Sequence, residues 1–395
     1  MKLTRIGLFL LAAGPLLAVT ARGGEVEDAL AAIKSVKREG DGNEKAATAW
    51  KVVAKGGAAA LPAVLAAYDG ADATAANWLR SAVDAIAESE QAAGRKLPAD
   101  VLETFVKDTK RDPRARDIAF DLLAQGDPDA RKRLLPGLLN DPGAGLRREA
   151  VAHAIKMGAL LSSNSGEAER GHFRKLFAAA RDVDQVEAIA KKLTDLGEKD
   201  VDVVGHLGLI TRWEVAGPFD NSKLKGFAAA LPMVEKWTEF ATAHPRASVD
   251  LYQALGKERG VKDGKKDAVY GLCRTEIESP EERPVEVRLA SQNAVRVFVN
   301  GAEAFSREEY HHGMSLDQHV ARVTLKKGRN EILVKVCQDD AVMEWTLVWS
   351  FQCRVCDVIG GAVPFTVLTA PNAVPVKPEP PKPAPKKPEP PKEKK

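Results

Sequence analysis

Long apolar runs are scarce in this chain. Beyond residue 19 none approaches the roughly 20 residues that a membrane-spanning helix requires. Cysteine is scarce too. The four present, Cys273, Cys337, Cys353 and Cys356, all fall in the C-terminal half and are too few to define a disulfide framework. Cys353-Arg-Val-Cys356 has CxxC spacing, but it lies in the strand-like run WTLVWSFQCRVCDVIGG. On a strand, residues three apart face opposite sides, so the pair reads as buried or cross-strand thiols. Asp357 also stands where covalent haem attachment needs a histidine. Charge excess is small, +3 overall. Seven lysines against three glutamates in residues 376–395 account for it, and the near-neutral remainder speaks against nucleic-acid binding. Catalytic signatures are missing as well. There is no GxSxG elbow and no HExxH. GVKDGKK at 260–266 is one residue short of a P-loop and lacks its Ser or Thr. No pair of carboxylates is placed for glycoside cleavage. The expectation is a chain without cofactor, catalytic residues or metal centre.

The N-terminus reads as an export signal. Lys2 and Arg5 precede the apolar run IGLFLLAAGPLLAV at 6–19, and Val19-Thr-Ala21 offers the small residues a signal peptidase reads. A retained membrane anchor is the alternative. The expectation is a signal peptide over 1–21 and an exported mature chain with no stable membrane insertion, which permits disulfides.

From residue 22 to about 205, apolar residues recur at helical spacing in short segments broken by Gly, Pro and Asp. The segments pair: 61–68 with 77–86, 101–106 with 112–123, 130–139 with 141–151, and 173–177 with 186–196. Aligning second helices on Ala82, Ala119, Ala150 and Ala188 gives a period in the thirties. Asp-Pro opens helices at Asp112 and Asp141, where Asp caps orphan amides and Pro fits the first turn. With Arg-x-x-Ala inside the second helix, the pattern resembles HEAT repeats. That resemblance implies an α-solenoid whose stacked pairs share a core and offer a face to a protein partner. A helical bundle with chance spacing is the alternative. His153, His172 and His206 are scattered along this half and read as ordinary surface or satisfied histidines.

The β domain is expected from residue 206, and near residue 210 the period changes to two. Alternating runs at 269–277, 285–289, 295–299, 320–325, 332–336 and 345–353 are separated by turn signals, a β-sandwich pattern. VRVFVNGAEAF at 295–305 predicts a hairpin closed by Asn300-Gly301 in a type I′ turn. Together with WEVAGPF at 213–219 and LKKGRNEILVKV at 325–336, it resembles the galactose-binding-like jelly rolls. The resemblance spans about 206–370 and implies a glycan-binding or partner-bracing β-sandwich, without carrying over any sugar contact. Trp213, Trp345 and Trp349 read as packing residues.

The densest polar cluster is EEYHHGMSLDQH at 308–319, in the loop after the hairpin. Tyr310 offers a ring for stacking on a sugar, and His311, His312 and His319 with Asp317 offer polar contacts. Their spacing matches no established metal motif. These four aromatic residues, Tyr310, His311, His312 and His319, are the candidate ligand-binding set. Residues 371–395 read as a disordered, polyproline-like tail able to touch an anionic surface. The chain as a whole reads as an exported, non-catalytic interaction protein. The alternatives are an accessory carbohydrate-binding subunit of a polysaccharide-degrading system and a hydrolase with an unrecognised site.

Overall fold

The computed structural model describes residues 23–160, 166–257 and 266–378. The expected signal peptide, most of the 260–266 loop and the tail after residue 378 lie outside the described residues. The chain divides into two compact units, residues 1–153 and 154–395. That division falls well before the expected domain start at residue 206 and the change of period near residue 210.

Helices make up the first unit: α1 (Gly23–Lys34), α2 (Asn43–Lys55), α3 (Leu61–Ala66), α4 (Ala73–Ala92), α5 (Ala99–Lys107), α6 (Pro113–Gly126), α7 (Ala130–Leu134) and the start of α8 (Ala144–Ala159). Neighbours α1 and α2, α3 and α4, and α5 and α6 pack against each other. Their facing stripes bury Ile33, Val53, Leu65, Leu79, Ile86 and Val106. The capping signals act as their chemistry predicts. Asp72 accepts from the Ala75 amide at 2.8 Å, and Asp112 accepts from the Arg114 amide at 2.8 Å ahead of Pro113. Asp141 departs from the pattern, because α8 starts only at Ala144. Its carboxylate accepts from the Gly143 amide at 2.7 Å and pairs with the fully buried Arg116 at 2.6 Å. Arg116 also donates to the Val106 carbonyl, so the buried cation is satisfied on both sides.

The second unit opens with α9 (Gly166–Ala179), α10 (Val183–Asp195) and α11 (Val203–Leu207) and then becomes mostly β. Its strands are β1 (Arg212–Asp220), β2 (Thr238–Thr242), β3 (Val249–Asp250), β4 (Val269–Ser279), β5 (Arg283–Ser291), β6 (Ala294–Val299), β7 (Ala302–Arg307), β8 (His319–Leu325), β9 (Gly328–Gln338), β10 (Ser350–Cys356), β11 (Thr366–Val367) and β12 (Pro375–Val376). Short helices α12 (Lys225–Ala228) and α13 (Leu251–Ala254) interrupt them. One sheet runs β12-β2-β1-β4-β9-β6-β7, with β11 added on β4; the other runs β3-β10-β5-β8. β12 pairs with β2, so ordered structure continues past residue 370, where the sequence reading opens the tail.

The inner faces of both sheets share one core. Trp213, Cys273, Val334 and Val336 from the first meet Val287, Leu289, Phe351 and Cys353 from the second. Each such large side chain contributes about 1.5–3 kcal/mol through burial. Trp213 donates to the Ile210 carbonyl at 3.2 Å and meets Phe351 edge-on. All four cysteines are buried and unbonded to one another. Cys353 and Cys356 share β10, and Phe351, Cys353 and Val355 line its core face.

The join between α11 and the β region depends on Gly208. It adopts a left-handed φ of +68°, and an added Cβ would lie 2.3 Å from the Val355 carbonyl oxygen. Through this close approach Val355 donates to the Gly208 carbonyl at 2.9 Å, and Ile210 donates to the Cys353 carbonyl at 3.0 Å. Glu187 of α10 adds an ion pair to Arg246 at 2.6 Å.

Candidate functional site

Three connections meet at one end of the β region: β1 to α12, β7 to β8, and β9 to β10. Asn221, in the first, is fully buried. Its Nδ2 donates to the Gln338 carbonyl at 3.0 Å and to the Tyr310 hydroxyl at 3.3 Å. Its Oδ1 is buried without a hydrogen-bond partner. Burial pushes the Tyr310 hydroxyl up to about 12, against the opposing pull of the Asn221 bond.

His311 adopts a φ of +59°, an uncommon conformation for a non-glycine residue. Its Nε2 lies 2.7 Å from Asp339 Oδ2, and its ring stands edge-on to Trp345 with centroids 5.5 Å apart. Burial pushes the Asp339 carboxyl up, but the Ala341 amide, His311 and Lys266 outweigh it and hold it below its ordinary value. Lys266, itself nearly buried, lies 3.6 Å from Asp339 and donates to the Thr346 carbonyl at 3.1 Å. Burial lowers its ammonium group.

Trp345 is 55% exposed, beside exposed Val342 and Met343. This corrects the expected strand over 345–353: β10 starts at Ser350, and residues 344–347 form a single helical turn. The Thr346 hydroxyl donates to the carbonyls of Ala341 and Met343, which curls the segment. Trp345 is thereby turned outward. Trp349 stays buried and donates to the Val336 carbonyl at 3.1 Å, as a packing tryptophan should.

The candidate set divides. Tyr310 and His311 join Asn221, Asp339, Lys266 and Trp345. His312 and His319 form a second pair with ring centroids 5.8 Å apart. Asp317 turns away altogether, accepting from Arg354 Nε at 2.6 Å and Arg288 Nη1 at 2.8 Å. Among the described residues, no group of three or more His, Cys, Asp or Glu side chains is placed to hold a metal ion. In the helices of the second unit, His172 and His206 each spend a ring nitrogen on a backbone carbonyl, of Ala154 at 2.9 Å and Ala180 at 2.8 Å.

The sequence reading missed Asn221, Lys266 and Asp339, and assigned Trp345 to packing. A signal for Asp339 was present in the Asp339-Asp340 turn that ends β9; its partner 28 residues away left no trace. In the first unit, a cavity of about 360 Å³ opens between α4, α5 and α6. Leu97, Leu102, Leu122 and Leu123 line it, with Gln91 and Gln125.

No family model matches the chain, and no curated protein matches it. Among solved structures, the β-glucosidase from Kluyveromyces marxianus, also solved in complex with glucose, is 12% identical with a TM-score of 0.27. That match covers 54% of this chain and 32% of the other. The α-xylosidase from Xanthomonas citri is 15% identical with a TM-score of 0.20, covering 38% of this chain and 16% of that one. The chain thus spans at most about a third of the length of these enzymes, and likeness at this level carries no functional argument.

Proposed function

We propose that the chain is an exported, non-catalytic interaction protein. In this reading the helical part is a HEAT-like solenoid that engages a protein partner. The β part is a galactose-binding-like β-sandwich whose loop cluster holds a glycan. One observation carries the reading: an exposed tryptophan stands edge-on to His311, which in turn pairs with Asp339 beside Lys266. An aromatic face next to a few fixed polar groups suits a sugar ring, which offers apolar C–H faces and hydroxyls at its edge. The aliphatic cavity among α4, α5 and α6 suits a side chain of a protein partner.

The test is a glycan array probed with the full chain, followed by calorimetry on the best binder. Trp345→Ala is expected to weaken binding roughly thirtyfold, about 2 kcal/mol, as loss of a central aromatic contact does. Its melting temperature should stay unchanged, because the side chain is already exposed. An array that binds nothing, or a variant that binds as well as the parent, would sink the glycan reading.

A further inference from the structure

We propose that the surface around Trp345 is the docking site of the chain's own proline- and lysine-rich segment 379–395, which competes there with any other ligand. The segment lies outside the described residues. The consequence for glycan affinity rests on the glycan reading above; the docking itself does not.

Val342, Met343 and Trp345 expose three large apolar side chains within four residues. The rings of Tyr310, His311 and Trp345 follow one another at centroid spacings of 6.3 and 5.5 Å. Around this apolar row the free charge is negative. Asp340 and Glu344 flank the turn that carries Trp345, and Glu308 acts on the Tyr310 hydroxyl. All three carboxylates are exposed and unpaired among the described residues. The nearby cation, Lys266, is nearly buried and spent on Asp339 and the Thr346 carbonyl. The surface therefore suits a partner that brings apolar rings and positive charge together.

Residues 379–395 have that chemistry: seven prolines, and six lysines against three glutamates. Proline fixes φ and removes a donor, so such a segment binds extended with little entropy left to lose, its rings packing on aromatic faces. In Pro385-Lys386-Lys387-Pro388 the two prolines stand one polyproline turn apart, about 9 Å, with both lysines between them. One proline ring can then cover the Trp345 indole while the ammonium groups reach Asp340 and Glu344. The segment also starts in the right place. β12 pairs with β2, and the next carbonyl, of Lys377, accepts from Gln253 Nε2 at 2.9 Å. One residue earlier on α13, the Tyr252 hydroxyl donates to Gln338 Oε1 at 3.1 Å, and Gln338 Nε2 donates to the Thr346 carbonyl at 3.2 Å. Only α13 and Gln338 separate the exit point from the residue next to Trp345. Extended, the stretch from Pro378 to Pro385 would span roughly 20 Å. Tethering this close gives an effective concentration on the order of millimolar, which a second copy in dilute solution does not match.

The probe is a fluorescent synthetic peptide of residues 379–395, titrated by anisotropy into two full-length chains. One is the parent; the other carries Pro385→Ser, Lys386→Glu, Lys387→Glu and Pro388→Ser. With its own segment disabled, the altered chain should bind the peptide about fivefold more tightly than the parent. Adding Trp345→Ala or Glu344→Lys to the altered chain should weaken the peptide about tenfold. Both positions are exposed, so neither change challenges the fold. A peptide that binds neither chain, binds both equally, or ignores both substitutions would overturn the proposal. So would sedimentation in which the parent dimerises and the altered chain does not, because the segment would then dock on a second copy. Any glycan found on the array should gain the same factor in the altered chain; equal glycan affinity in the two chains would overturn the shared site. A chain that docks the peptide yet binds no glycan would refute the glycan reading alone.

Discussion

Asp317 lies between two arginines on the face of the smaller sheet turned away from the core. Arg354 is almost fully buried and also donates to the carbonyls of Leu207 and Gly360, both at 3.1 Å. Burial pushes the Asp317 carboxyl up, but Arg354 and Arg288 outweigh it and hold it below its ordinary value. Asp317→Asn should cost about 2–3 kcal/mol in urea denaturation, less than the 3–5 of a fully buried pair. The discount follows from the 26% of the Asp317 side chain that stays exposed. Since the folded state favours the carboxylate, this contribution is present above pH 4 and fades as pH falls through the depressed value. The parent should therefore lose stability more steeply than the variant as pH falls below about 4. At this scale the sequence was a partial guide. It marked residues 308–319 as polar and dense, but it could not show that Asp317 would serve the fold while His311 faced Trp345. Those choices depend on partners 28 and more residues away.

Among the elements, hairpins and their turns were the most legible. Asn300 and Gly301 both take positive φ, 52° and 80°, and Val299 pairs with Ala302, as a two-residue type I′ turn requires. The Leu-x-x-Gly-x-Asn pattern is explained by Asn330. Its side chain bonds the Lys326 amide and carbonyl at 2.8 Å each and the Gly328 carbonyl at 2.9 Å, closing the turn before β9. Least legible was the start of β10. Alternation put Trp345 and Trp349 on one face, and only the bonding of Thr346 to the preceding turn separates them. Two glycines allow a ranked test of these joints. Gly301→Val has open space for its side chain and should cost only backbone strain, about 1–3 kcal/mol. Gly208→Ala adds a collision with the Val355 carbonyl to a similar strain and should cost more than Gly301→Val. Thermal melts of the full chain that reverse this order would show that the α11 join yields more readily than its geometry implies.

For the molecule as a whole, the change of period near residue 210 marks where strands begin, not where a compact unit begins. The helices α9 to α11 group with the strands, tied by the Glu187–Arg246 pair and the Gly208 contacts. Periodicity reports local conformation and is blind to which neighbour a helix packs against. A fragment 154–378 should therefore unfold at higher urea than a fragment 210–378, the difference being read by circular dichroism; equal midpoints would mean the helices add nothing. The four separate thiols give the same unit a property of a different kind. Burial pushes every one of them above the ordinary thiol range, so each is shielded and protonated at neutral pH. The folded β region should be inert to alkylating reagents and indifferent to the redox potential around it. Each molecule that opens would be counted by the label it takes up, so the chain carries its own clock for unfolding.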